Sequence, residues 1–108
     1  MPKPDNLQGA LELLVMKILR RGPAHGFAIS TYIRQSSDDV LRLEAGSLYP
    51  ALHRMTEAGL LTAEWRMSDA GRRARVYGLT AKGRRRLDAE EKRWHAISAA
   101  VTKVLRTT

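Results

Sequence analysis

Residues 46–87 read GSLYPALHRMTEAGLL (46–61), TAEWRMSDAGRRARVYGL (62–79) and TAKGRRRL (80–87). In the first block Leu48, Leu52 and Met55 fall at i, i+4 and i+7, one apolar stripe of a helix over about 47–58. Ser47 suits its N-cap, and Pro50 its first turn, where the missing N–H costs nothing. Gly59 is placed to end it in a left-handed conformation. The second block alternates on both sides of a turn. Ala63, Trp65 and Met67 share one face, as do Tyr77 and Leu79. Ser68, Asp69 and Gly71 are turn formers between them. Folding about Gly71 sets Trp65 opposite Tyr77 as an aromatic cross-strand pair. Thr80 then caps another helix. A helix, an arginine-tipped hairpin and a second helix, in that order, are the parts of a winged helix-turn-helix.

The rest of the chain extends this frame. Leu7, Leu11, Leu14, Val15, Ile18 and Leu19 recur at helical spacing, predicting a helix over about 7–21 capped by Asn6 or Asp5 and stopped by Gly22-Pro23. A second helix is expected from about His25 to Ser36, with Phe27, Ile29 and Ile33 inward. In the connection 37–45, Leu41 and Leu43 alternate with polar residues, as a brief strand would. From Ala81 to about Leu105, Leu87, Trp94, Ile97, Val101 and Val104 or Leu105 form a heptad-like seam, interrupted at Glu90 and Glu91. The expected fold is mostly α with a small β-hairpin. A winged helix-turn-helix domain occupies 1–80 and a C-terminal dimerisation helix 81–108.

Charge narrows the function. The 108 residues carry a formal net charge of +8. Between Arg66 and Arg86 stand Arg66, Arg72, Arg73, Arg75, Lys82, Arg84, Arg85 and Arg86, against one acid, Asp69. Such a balance calls for a polyanionic partner, and with this order of elements the partner is double-stranded DNA. On the third helix Ser47, Tyr49, Pro50, His53 and Arg54 project away from the apolar stripe. An arginine grips guanine edges bidentately, and a helix N-terminus favours phosphate. Arg72, Arg73 and Arg75 at the hairpin suit the sequence-independent attraction of the backbone. Arg84, Arg85 and Arg86 spread around their helix, so no more than two of them face one surface. Lys82 sits near the base of the wing.

Other chemistries find little support. No cysteine exists, which removes disulfides and thiolate sites. His25, His53 and His95 are never three or four apart and no carboxylate cluster joins them, so neither a metal nor a cofactor is expected. There is no nucleophile motif and no glycine-rich phosphate loop, and Glu90 and Glu91 diverge on their helix. An enzyme is the weakest class. No long apolar run marks a signal peptide or a membrane span, so a soluble cytoplasmic protein is expected.

At LELLVMKIL (11–19), GPAHGFAI (22–29), GSLYPALHRMTEAGLL, Trp65 and RRARVYGLTAKGRRRL (72–87) the chain resembles the PadR family of bacterial transcriptional regulators, over about residues 7–105. The resemblance implies a dimeric winged-helix protein, usually a repressor, acting on its own or a neighbouring operon. It puts Ser47, Tyr49, Pro50, His53 and Arg54 in the DNA-reading helix and Arg72, Arg73 and Arg75 in the basic wing. It implies a homodimer built by the C-terminal helix together with the first, through Leu87, Trp94, Ile97, Val101 and Leu105. The single C-terminal helix matches the short-form members. In some of these a tryptophan of the last helix binds flat aromatic compounds at the dimer centre. Trp94 stands at that position, either as such a platform or as a packed seam residue. The alternative function is a weakly specific DNA-binding or drug-sensing module, which lacks a large preference for one operator.

Overall fold

A computed structural model describes residues 4–67 and 69–107, with side chains from residue 10 onward. The elements are α1 (Pro4–Leu19), β1 (Ala24–His25), α2 (Gly26–Ser36), α3 (Ala45–Glu57), β2 (Leu61–Met67), β3 (Arg73–Leu79) and α4 (Ala81–Thr107). α1 starts three residues before the expected position 7, with Pro4 as its first residue, a place where proline's fixed φ fits and its missing N–H is not needed. Asp5 and Asn6 therefore lie within its first turn. Arg20 and Arg21 belong to the turn that follows, not to the helix.

Three helices and the foot of a fourth enclose one core. α1 contributes Leu11, Val15, Met16 and Leu19, α2 contributes Ile29 and Ile33, and α3 contributes Leu48, Ala51, Leu52 and Met55. Leu60, Leu61, Tyr77 and Leu87 close it. Burial of these side chains drives the association of elements that would be marginal alone.

The sheet has the order β1-β3-β2, all antiparallel. The third strand was not foreseen. Ala24 and His25 pair with Tyr77 and Val76, taking the edge of β3 that β2 leaves open. Leu41 and Leu43, expected as a brief strand, lie in irregular chain with their side chains half-buried against the core. His25 does two jobs. It ends β1 with extended backbone, and its Nδ1 accepts the N–H of Ala28 at 3.2 Å, capping α2.

The hairpin register also differs from expectation. Trp65 lies opposite Arg75, and Tyr77 opposite Ala63. The hairpin is centred on residue 70, and Gly71 takes its positive φ of 78° beside that centre. A shift of two along a strand preserves the faces, so Trp65 and Tyr77 still share a side of the sheet.

The hairpin base, the end of α3 and the start of α4 meet at one joint. The Thr80 hydroxyl accepts the Gly83 N–H at 2.9 Å, the expected cap of α4. It donates towards the carbonyls of Gly59 at 2.7 Å and Leu60 at 3.0 Å. Lys82 caps the other helix, with Nζ 2.8 Å from the carbonyl of Ala58. Gly83 sits so close that a Cβ there would lie 2.3 Å from the Leu60 carbonyl oxygen and 2.6 Å from Leu79 Cδ1. Gly83→Ala must push α4 off this joint. Its stability in urea is expected to fall by about 1–3 kcal/mol, with an unchanged m-value.

Candidate nucleic-acid interface

α3 begins at Ala45 with Glu44 as N-cap, which makes no side-chain capping bond. Ser47 therefore stands inside the helix instead of capping it. Pro50 is the sixth helical residue, beyond the first turn where it was expected. Leu48, Ala51, Leu52 and Met55 are buried, and this fixes what the helix shows outside. Ser47, Tyr49, Pro50, His53 and Arg54 are all exposed. At 100° per residue, Tyr49, His53 and Pro50 occupy the outward face, with Ser47 and Arg54 on one flank. Arg54 is not a freely projecting reader: its Nη2 lies 3.7 Å from Glu12 Oε2 on α1.

Two glycines complete this helix end. Gly46 falls on the outward face, and a Cβ there would meet nothing within 4 Å, so the backbone of the first turn is open to close approach. Gly26 at the start of α2 lies beneath the Tyr49 ring. A Cβ there would come within 2.6 Å of Tyr49 Cε1 and 2.9 Å of its hydroxyl oxygen. Tyr49 is thus shelved on the N-terminus of α2 while staying 46% exposed.

The wing carries Arg66, Arg73 and Arg75 in its strands and Arg72 just before β3. Arg66 is bound by Glu64 on the same strand, Nε to Oε1 at 2.7 Å. Arg73 and Arg75 instead lie over the indole of Trp65, their guanidinium carbons 4.8 and 5.3 Å from the ring centroid. Part of the basic window is spent inside the protein: Lys82 on α3, Arg66 on Glu64 and Arg86 on Glu90 at 3.5 Å. Arg84 and Arg85 stay exposed at the start of α4, so the outward positive charge of this window is shared between the wing and that helix.

α4 divides along its length. Gly83 and Leu87 are buried in the protomer's own core. The seam expectation for Leu87 is thereby corrected: it is fully buried and has no surface left for a second chain. Lys17–Glu91 and Arg20–Asp88, each at 3.1 Å, tie the next turn to α1. These exposed pairs orient the helix and add little stability. Beyond them Trp94, Ile97, Val101, Val104 and Leu105 are 46–71% exposed and form one stripe about 100° wide. A groove of about 430 Å³ lies between α1 and α2, with Leu14, Ile18, Ile33 and Leu41 among its lining residues.

Among the described residues, no group of His, Cys, Asp and Glu side chains is placed to hold a metal ion, and no helix is long and apolar enough to cross a membrane.

Comparison with known proteins agrees with this architecture. Residues 15–89 match the Transcriptional regulator PadR-like family. Transcriptional regulator Rv3488 of Mycobacterium tuberculosis is 40% identical over 60 residues, 56% of this chain and 55% of that protein, so the match spans about half of its length. A PadR family transcriptional regulator from Eggerthella lenta has a crystal structure that superposes with a TM-score of 0.79 at 34% identity, covering 95% of this chain and 88% of that one. A transcriptional regulator described as TA0346 from Thermoplasma acidophilum shares the fold with a TM-score of 0.84 at 24% identity, over 96% and 98% of the two chains. These matches are to regulators, not enzymes, and on the family match the chain belongs to the PadR-like family of transcriptional regulators.

Proposed function

We propose that the protein is a sequence-specific DNA-binding regulator that acts in the cytoplasm as a homodimer and represses its own or a neighbouring operon. One observation carries this reading. α3 buries one face completely and exposes Tyr49, Pro50 and His53 on the other, and it runs directly into a hairpin bearing Arg72, Arg73 and Arg75. The outward face of α3 enters the major groove, with Tyr49 held in place by the shelf at Gly26. Arg54 leaves Glu12 for DNA at small cost, because an exposed ion pair is worth under about 1 kcal/mol. The wing arginines neutralise backbone phosphates.

The homodimer reading is supported by the stripe of Trp94, Ile97, Val101 and Leu105. An apolar surface continuing outward from a core residue, Leu87, is what a second identical helix covers. The groove between α1 and α2 offers further apolar surface. Trp94, about half exposed, gives a flat aromatic effector a face to stack on at the dimer centre.

The test is binding to DNA from upstream of the protein's own gene, near physiological salt, with excess random duplex. A regulator of this kind holds its operator roughly a thousandfold or more tighter than random DNA. Equal affinity for both would instead identify a weakly specific module. With an operator in hand, Tyr49→Ala and Arg54→Ala are expected to lower its preference over random DNA. Arg73→Ala should weaken both about equally and reduce the salt slope by about one. Trp94→Ala is expected to shift the monomer–dimer equilibrium towards monomer in sedimentation velocity. A fully dimeric variant of unchanged stability would favour the effector-platform role for Trp94 instead.

A further inference from the structure

Trp65 is 54% exposed, on the part of the hairpin that projects past the core. The last pair on its face that reaches the core is Ala63–Tyr77, one step inward. An indole placed there covers little apolar surface. What it does touch is charge. Arg75 is its direct cross-strand partner, and Arg73 is the diagonal neighbour on the same face. Both guanidinium groups lie within 5.3 Å of the ring centroid. Among the described residues neither has a carboxylate partner, whereas Arg66, on the opposite face, is held by Glu64. The three strand arginines are therefore divided, one paired with an acid and two lying on an aromatic support.

We propose that Trp65 is the positioning residue of the wing: it holds Arg73 and Arg75 on one side of the hairpin, ready for backbone phosphate. This rests on reading the wing as a DNA-backbone contact. Stacking uses the flat face of a guanidinium and leaves the N–H groups along its edge to donate. An acid partner would fix an arginine equally well but would occupy those donors and cancel the charge. Indole is the strongest of the aromatic supports for a cation. Two long side chains already confined over a ring lose less freedom on meeting phosphate than two that sample solvent. Trp65 thus acts on DNA through the arginines and contacts none itself.

A double-mutant cycle on the full-length protein tests this. Dissociation constants are measured for the upstream duplex and for a random duplex at one salt concentration. The proteins are wild type, Trp65→Leu, Trp65→Phe, the pair Arg73→Ala with Arg75→Ala, and that pair combined with Trp65→Leu. Trp65→Leu is expected to weaken both duplexes by about tenfold, with Trp65→Phe recovering most of the loss. In the background lacking both arginines, Trp65→Leu should change binding by no more than about twofold. The same loss in both backgrounds would overturn the inference, because the ring would then be touching DNA or merely holding the hairpin. Absence of any loss in Trp65→Leu would overturn it too. If Trp65→Leu melts early, Trp65→Thr, a strand-favouring residue without a π face, takes its place in the cycle. Failure of wild type to bind either duplex would sink the DNA-binding reading and this inference with it, whereas wild-type binding with additive substitutions would sink this inference alone.

Discussion

The structure depends on how near α4 comes to the carbonyl of Leu60. Only a residue without a Cβ fits at Gly83, and the Thr80 hydroxyl bonds both the approaching helix and the chain it approaches. Three directions are set together there: the exit of α3, the rise of the hairpin and the course of α4. Lys82, capping α3 from α4, binds the first of these to the last. The wing has no extensive core beneath its tip, so its angle to α3 is inherited from this joint. The same joint drives Leu87 into the core and thereby decides which residues of α4 remain outside.

The functional surface is organised by what is made unavailable as much as by what is displayed. A chain with this excess of positive charge could present a diffuse cationic coat. Instead Lys82 is turned onto a helix end, Arg66 onto Glu64 and Arg86 onto Glu90. What stays outward includes Arg73 and Arg75 on the Trp65 ring, together with Arg84 and Arg85 on the first turns of α4.

Much of this was legible in the sequence, and the exceptions share a cause. Helix periodicity identified the buried stripe of α3, and period-two alternation identified the faces of the hairpin, because both follow from local geometry. Thr80 was readable as a cap because its hydroxyl acts three residues away. Non-local competition was not readable. β1 exists because β3 has an open edge, which no pattern in Ala24-His25 announces. α3 starts at Ala45, two residues before the better capping residue Ser47, and nothing in the local pattern explains that extension. Leu87 has the same spacing as the seam residues. Periodicity assigns a face, but only the joint at Gly83 determines where along α4 that face stops being core. Trp65 was seen as a strand aromatic, and its partners changed once the register did.

α4 is unbroken from Ala81 to Thr107, and it behaves as a lever. Its pivot and handle are the exposed stripe, and its moving end is the buried foot around Gly83 and Leu87. From Trp94 back to Ala81 is about 20 Å of rigid rise. A tilt of about 10° at the handle moves the foot by roughly 3.5 Å, close to the ~3.4 Å rise of one base pair. In the proposed homodimer, gripped at the stripe, the spacing of the two α3 helices is geared to side-chain packing far from DNA.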